Sequence, residues 1–180
     1  MIGKELAKAN IPVISGLAYG IDSFAHEGTV SMGGKAITVL GTGIDIIHPV
    51  RNAWLYDKIA SSGLIISEYA PGTPGAKYTF PQRNRIISAL SEAVVVVEAG
   101  LNSGSLITAD FANEQGKSIY AVPGNINSQF SVGTNKLIKD GAIPMISICD
   151  VTSDIKGVEY TPHEITQELG NDELEIYKEI

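Results

Sequence analysis

The amino-acid sequence predicts an α/β fold with a doubly wound, mostly parallel sheet. Two observations support this prediction. Short apolar runs rich in β-branched residues alternate with helical stretches along the chain, and most of these runs end in glycine or another small residue. Near-continuous apolar strands separated by helices are typical of parallel sheets that are covered on both faces. In such folds ligands bind beyond the carboxyl ends of the strands, so we expect the functional site there.

The individual elements follow from these patterns in chain order. Five apolar runs predict strands and a weaker sixth follows them, at 11–15, 36–40, 64–67, 93–97, 118–122 and 143–148. Candidate helices lie near 2–10, 21–32, 52–62, 82–92, 104–115 and 134–140. Pro81 is expected to open the helix near 82–92, because its ring presets the helical φ and its missing N–H would be unpaired in the first turn. Since the chain opens with a helix, we expect the sheet to lack its first strand.

The composition suits one compact domain, because 44% of the 180 residues are hydrophobic and 18% are charged. We place this domain at residues 1–153 and interpret 154–180 as an acidic linker followed by the start of a truncated helical segment. The apolar runs are too short to span a bilayer, and the N-terminus reads as an amphipathic helix, so we expect a cytoplasmic protein with no membrane partner. The single cysteine, Cys149, excludes an intrachain disulfide.

The net charge of −7 is unevenly distributed. Residues 1–140 hold 11 Lys and Arg against 11 Asp and Glu, whereas residues 141–180 hold 2 against 9. The negative excess therefore lies in the last part of the chain. A neutral domain can still present a local basic pocket, whose field acts at short range because salt screens exposed charge beyond about 10 Å.

The segment 77–88 places cations, an aromatic ring and an amide directly before the most hydrophobic strand. Arginine forks match phosphate oxygens, and an aromatic face stacks on an unpaired base. The candidate binding residues of this segment are Lys77, Phe80, Arg83, Asn84 and Arg85. Taken alone, the pattern fits a site for single-stranded nucleic acid and equally a helix with surface salt bridges and a core phenylalanine.

Glycine-rich turns follow four of the predicted strands and let backbone N–H groups approach an anion closely. These turns contain Gly16, Gly41, Gly124, and the triplet Ser103, Gly104 and Ser105. Four such turns at one edge of a sheet indicate a groove for a polyanion. Arg51, in a loop before a predicted helix, is a further candidate phosphate contact.

Other candidate sites are weaker. The strand-end carboxylates Glu68 and Glu98 either act in acid–base chemistry, hold a ribose hydroxyl, or pair with one of the arginines of segment 77–88, and we favour the pairing. The Gly-Lys-Ser triplet at 116–118 ends a helix instead of opening one, which argues against a Walker-type phosphate loop. The three histidines are scattered, so we expect no metal site. Ser23 and His26 are interpreted as a helix-surface pair rather than a catalytic pair.

Several ordered motifs together resemble one known family. They are Ser15-Gly16-Leu17-Ala18 with Gly20-Ile21-Asp22, Gly41-Thr42-Gly43, Phe80-Pro81 with Arg83-Asn84-Arg85, Val97-Glu98-Ala99, Ser103-Gly104-Ser105 and Ala121-Val122-Pro123-Gly124. With these motifs, roughly residues 1–150 closely resemble the DNA-processing protein A family, also called DprA or Smf. The resemblance implies an extended Rossmann-like domain that binds single-stranded DNA, forms a homodimer, and has neither enzymatic activity nor a cofactor. It also implies that the protein protects incoming DNA and helps load the RecA recombinase during natural transformation.

The resemblance also implies roles for individual residues. By position, Lys77 would meet a phosphate and Phe80 would stack on a base, while Arg83 and Arg85 would supply positive pocket wall, with Arg85 buried against Glu98. The family's first strand, with a DNA-binding arginine after it, would lie before residue 1. The alternative is a nucleotide-processing enzyme of the related phosphoribohydrolase type, which would carry a Pro-Gly-Gly-x-Gly-Thr loop. The nearest segment, at 70–75, lacks the paired glycines.

Overall fold

The structure is a computed structural model that describes residues 1–155. Helices and strands alternate, which confirms the predicted α/β class. The elements are α1 (Ile2–Lys8), β1 (Val13–Ser15), α2 (Ile21–Ser31), β2 (Ala36–Leu40), a 3-10 turn (Val50–Asn52), α3 (Ala53–Ser62), β3 (Leu64–Ser67), α4 (Thr79–Leu90), β4 (Ala93–Val96), α5 (Gly104–Glu114), β5 (Ser118–Ala121), α6 (Val132–Lys139), β6 (Ile143–Pro144) and α7 (Cys149–Thr152). Of the predicted linker and helical segment at 154–180, only residues 154 and 155 lie within the described residues. Within residues 1–155, no helix has the length and apolarity that crossing a membrane requires.

The strands form two three-stranded parallel sheets, in the orders β1-β2-β3 and β4-β5-β6. Val13 pairs with Ala36 in the first sheet, and Val94 pairs with Ile119 in the second. All pairings are parallel, as the apolar runs predict. Among residues 1–155, no backbone hydrogen bond joins β1 to β4. The sheet therefore consists of two halves that are held together by helix packing.

Three clusters of buried apolar side chains attach the helices to the strands. The clusters consist of Leu17, Ala36, Leu40, Leu55 and Ile59; of Val94, Val96, Ala99, Ala109 and Ala112; and of Tyr120, Met145 and Val151. Successive residues of a strand point to opposite faces. Along β4, Val94 and Val96 pack with residues of α5, whereas Ala93 and Val95 pack against the Tyr120 cluster. Both faces of the second sheet are therefore covered.

Two helices bridge the two halves of the sheet. Ile2 of α1 packs against the Tyr120 cluster of the second half, while the rest of α1 packs along α2 of the first half. Helix α4 packs on β1 and β2 and also along α5. Each fully buried leucine or isoleucine in these contacts contributes about 1.5–3 kcal/mol. Helix α4, which carries four of the predicted binding residues, is thus fixed against both halves.

Helix α4 begins at Thr79, earlier than the predicted start at Pro81. The buried Thr79 hydroxyl accepts a hydrogen bond from the N–H of Ala76 at 3.0 Å and donates to the carbonyl of Ala76 at 2.9 Å, which closes a turn before the helix. Pro81 then lies within the first turn, where its missing N–H has no helical partner to lose. As a result Phe80 belongs to the helix itself.

The sixth strand is shorter than predicted and ends at Pro144. The carboxylate of Asp150 accepts hydrogen bonds from the N–H groups of Ile146 and Ser147, at 2.8 and 2.7 Å. These bonds turn the backbone away from the sheet, and α7 follows at Cys149. An aspartate that caps a turn thus ends the apolar run at 143–148.

Candidate nucleic-acid interface

A pocket of about 200 Å³ lies at the carboxyl ends of β1 and β2, which is the edge where parallel α/β folds bind ligands. We call it the Phe80 pocket. Its lining residues are Gly16, Ala18, Tyr19, His48, Pro49, Phe80 and Arg83. Three of the predicted binding residues, Gly16, Phe80 and Arg83, therefore lie around one pocket.

Arg83 is buried beneath this pocket, with only 5% of its surface exposed. Its Nη1 donates to the backbone carbonyls of Gly16, at 2.9 Å, and of Val39, and its Nε donates to Oδ1 of Asn84 at 3.1 Å. Burial lowers the pKa of Arg83, and the nearby negative charge of Asp22 opposes that shift. Arg83 therefore joins the ends of two strands to α4 and presents little surface to a ligand.

The loop after β1 is fixed from two sides. The carboxylate of Asp22 accepts hydrogen bonds from the N–H groups of Gly16, at 3.0 Å, and Ala18, at 3.3 Å. The side-chain amide of Asn52 donates to the carbonyl of Leu17 at 2.8 Å. The Gly16 N–H, which was expected to face an anion, is thus already bonded to a carboxylate. Gly16 is nevertheless required, because a Cβ at this position would collide with the guanidinium of Arg83.

Phe80 is half-buried and forms the aromatic wall of the pocket. Its ring lies against Gly41 and Gly75, where an added Cβ would come within 2.6 and 2.7 Å of ring carbons. The ring of His48 lies beside it, with the two centroids 5.1 Å apart and the planes tilted by 34°. Two adjacent rings give the pocket a surface on which a planar base can stack. The absence of side chains at Gly41 and Gly75 thus leaves room for the ring.

The positively charged groups near the pocket differ in their surroundings. Lys77 and Arg51 are exposed, and neither forms a salt bridge within residues 1–155. Arg85 is also exposed and pairs with Glu68, whose side chain is 46% exposed. The expected burial of Arg85 against Glu98 is therefore wrong, because Arg85 faces the end of β3 instead of β4. A pair this exposed contributes about 0–1 kcal/mol to stability.

The start of α5 lies next to α4 at the same edge. Ser103 caps α5, its Oγ accepting from the N–H of Ser105 at 3.4 Å and lying 2.7 Å from the Ser105 hydroxyl. The amide of Asn84 donates to the carbonyl of Gly104 at 3.2 Å. A Cβ at Gly104 would meet no atom within 4 Å, so its backbone is open to solvent. Four further predicted residues thus lie together, and Arg83 connects them to the Phe80 pocket through Asn84.

His26 differs from its predicted place on the helix surface, because it is completely buried. Its Nε2 lies 3.2 Å from the carbonyl of Ile37, and within residues 1–155 its Nδ1 has no partner. Burial lowers the pKa of His26 to about 4, and the charge of Arg83 adds to this effect while Asp22 opposes it. The Ser23 hydroxyl donates instead to the carbonyl of Gly20, at 2.9 Å. His26 is part of the core and not of a catalytic pair.

Sequence reasoning missed two contributors to this region: Asn52, which anchors the loop after β1, and His48, which adds a ring to the pocket. Both carboxylate oxygens of Asp45 accept from the N–H of Gly72, at 2.8 and 2.9 Å, and tie the loop after β2 to segment 70–75. The position of His48 five residues after the glycine-rich turn at 41–43 was an available signal. Nothing in the local sequence singles out Asn52, because its partners are backbone carbonyls 35 and 34 residues away.

Comparison with known proteins gives a consistent result. The family described as DNA recombination-mediator protein A matches residues 1–156. The DNA processing protein DprA of Streptococcus pneumoniae is 44% identical over 144 residues, which cover 80% of this chain and 51% of that protein. Its X-ray structure matches with a TM-score of 0.78 and 40% identity, over 89% of this chain and 56% of that one. A structure describing the single-stranded DNA binding mode of DNA processing protein A from Helicobacter pylori matches with a TM-score of 0.77 and 34% identity, over 83% and 68%. The chain thus spans about half the length of the S. pneumoniae relative.

Proposed function

Because the chain belongs to the DNA recombination-mediator protein A family, we propose that it binds single-stranded DNA at the carboxyl edge of its strands. The observation that carries this proposal is the Phe80 pocket, whose lining includes the rings of Phe80 and His48. Two exposed cations flank these residues in the chain, Lys77 three residues before Phe80 and Arg51 two residues after Pro49. A base face is available for stacking only where it is unpaired, and the cations suit the phosphates on either side of it. The ligand of the H. pylori relative supports the same reading.

The predicted binding residues divide into contacts and positioning residues. Phe80 stacks on a base, and Lys77 and Arg51 meet phosphates. The free space at Gly104 lets a further phosphate approach the start of α5, which is the positive end of its helix dipole. Arg83 and Asn84 position this surface, because their side chains are bonded to backbone carbonyls and to each other. Arg85 lies beside β3, where the carboxylate of Glu68 pairs with its guanidinium and offsets its charge.

We further propose that a homodimer passes the bound strand to a RecA-type recombinase in the cytoplasm, protects incoming DNA in natural transformation, and catalyses no reaction. The family's description as a recombination mediator supports this role. Within residues 1–155, neither strand-end glutamate is placed for the phosphoribohydrolase alternative. Glu68 pairs with Arg85, and Glu98 follows β4, in the half of the sheet that does not line the Phe80 pocket.

Fluorescence-anisotropy titration with a labelled oligothymidylate, against a duplex of equal length and at two salt concentrations, tests the proposal. We expect salt-sensitive binding that prefers the single strand. Phe80→Ala should weaken it by about 1–3 kcal/mol. Lys77→Ala should lower the slope of log K against log salt by about 0.7, because one phosphate contact is lost.

Two exposed residues at the opposite edge of the sheet provide controls. Met32 lies after α2 and Lys139 ends α6, so Met32→Ala and Lys139→Ala should leave the affinity unchanged. Equal affinity for duplex and single strand, or equal losses for the pocket and control variants, would refute the proposal.

A further inference from the structure

A second cavity, of about 500 Å³, opens between the loops that follow β4 and β5. Its lining includes two exposed apolar side chains, Leu101 and Phe130, and two exposed amides, Asn102 and Gln129. We propose that this cavity, here called the Phe130 pocket, binds an unpaired base of the same DNA strand, by stacking on Phe130. The inference rests on the proposed function and extends it to the other half of the sheet.

The exposure of the aromatic ring points to a binding surface. Phe130 is 60% exposed and Leu101 is 64% exposed, and Ile126 in the same loop is 85% exposed. Adjacent large apolar side chains that remain in water on a folded domain mark interaction sites. An aromatic ring that stacks on a base contributes about 1–3 kcal/mol per base. Phe130 and Leu101 therefore offer apolar surface that a ligand can cover, and a base provides a flat apolar partner.

The loop that carries Phe130 is preorganised. The N–H of Phe130 donates to the Ser128 hydroxyl at 3.3 Å, and its carbonyl accepts from the N–H of Ala99 at 2.8 Å. The side chain of Asn135 accepts from the N–H of Gly124 at 3.1 Å and donates to the Gly124 carbonyl at 2.9 Å. The ring is thus held on a loop fixed at both ends, which reduces the entropy lost when a ligand binds.

The chemistry of the pocket fits a base and not a phosphate. The two segments that form it, 99–109 and 123–135, contain no Lys, Arg, Asp or Glu. Without a cation, the pocket offers no charge to a phosphate. Asn102 and Gln129 each carry both donors and acceptors, which match the edges of an unpaired base. A duplex hides the base faces, so this pocket also favours a single strand.

The Phe130 pocket continues the surface already described. Ser103 caps α5 and also lines the Phe130 pocket. Asn84 bonds to Gly104 on one side and to Arg83, which lines the Phe80 pocket, on the other. A strand stacked at Phe80 can therefore cross the start of α5 and reach Phe130 along one edge of the two sheets.

The test compares oligothymidylates of about 4 and about 16 nucleotides, the usual limits of a single-strand site. Phe130→Ala should raise the Kd of the longer oligomer at least about fivefold and leave that of the shorter one nearly unchanged, since the shorter one occupies the Phe80 pocket alone. The salt dependence should not change, because the pocket is uncharged. Phe130→Trp should retain the affinity for the longer oligomer. Leu101→Ala, which removes apolar contact surface from the opposite loop, should weaken the binding of the longer oligomer in the same way.

Phe80→Ala separates this inference from the proposed function, because it should weaken the binding of both oligomers. If Phe80→Ala weakens binding while Phe130→Ala and Leu101→Ala leave both affinities unchanged, the inference is overturned and the proposed function stands. If Phe80→Ala also has no effect, both are overturned. If Phe130→Ala changes only the oligomeric state in light scattering, the pocket is a protein contact and the inference is again overturned. Circular dichroism and the urea midpoint verify that each variant folds.

Discussion

Lowering the pH from 8 to 5 is expected to destabilise the protein by about 2 kcal/mol through His26 alone. An unfolded histidine has its pKa near 6.5, whereas burial lowers the pKa of His26 to about 4 in the folded protein. Between these values the unfolded chain binds a proton that the folded protein does not bind, so stability falls as the pH decreases. The stabilisation from the neutral His26 is fully present well above pH 6.5. Relative to that limit, the free energy of unfolding is about 2 kcal/mol lower at pH 5 and about 3 kcal/mol lower at pH 4.

Urea unfolding at pH 8, 7, 6 and 5 measures this effect, with fluorescence of the single tryptophan, Trp54, as the probe. His26→Gln removes the titrating group while keeping a polar side chain. The free-energy difference between wild type and His26→Gln should therefore decrease by about 2 kcal/mol between pH 8 and pH 5. The carboxylates titrate in both proteins, so their contributions cancel in this difference. His48→Gln, which alters an exposed histidine, should follow the wild-type profile. A difference that stays constant within about 0.5 kcal/mol would refute the reasoning.

Two further predictions concern the stability of the binding edge. Arg83→Met should lower the free energy of unfolding by about 2–5 kcal/mol in urea, because two backbone carbonyls lose their donor; a loss below about 1 kcal/mol would contradict the role of Arg83 as a positioning residue. Gly133→Ala should destabilise the protein by about 1–3 kcal/mol, because the new Cβ would lie 2.7 Å from the carbonyl oxygen of Ala99. The matched change Gly104→Ala has free space and should preserve stability while weakening DNA binding in anisotropy, and unaltered affinity would show that no phosphate approaches there.

The strands were predictable because their signal is local. Runs such as 36–40 and 118–122 combine apolar and β-branched residues between turn signals, and each contains the strand found there. The division into two three-stranded sheets was not predictable, because a hydrophobic run does not specify its neighbour. The end of β6 was also not predictable, because it depends on the hydrogen bonds that the carboxylate of Asp150 accepts from Ile146 and Ser147.

The place of the Phe80 pocket at the carboxyl ends of the strands was predictable, but the burial of the side chains around it was not. The sequence places Lys77 and Phe80 at this edge, and the structure has them there. Arg83 was expected on the pocket wall and does line the Phe80 pocket, but it is almost completely buried, because its guanidinium donates to carbonyls 67 and 44 residues earlier in the chain. Phe130 carried no recognisable signal, since a single phenylalanine in a loop is more often part of the core. Its exposure follows only from how the loop is tied to Ala99 and Asn135.

The separation of the two sheets has a consequence for amide hydrogen exchange. Among residues 1–155, β2 and β5 are the central strands of their sheets, whereas β1 and β4 each have a hydrogen-bonded neighbour on one side only. Amides of β2 and β5 should therefore exchange most slowly, and each half can open as its own cooperative unit. Helix α4 packs against elements of both halves, so its unwinding would leave α1 as the helix that bridges them. A DNA strand that spans the Phe80 and Phe130 pockets would bridge the same two units and slow exchange in both.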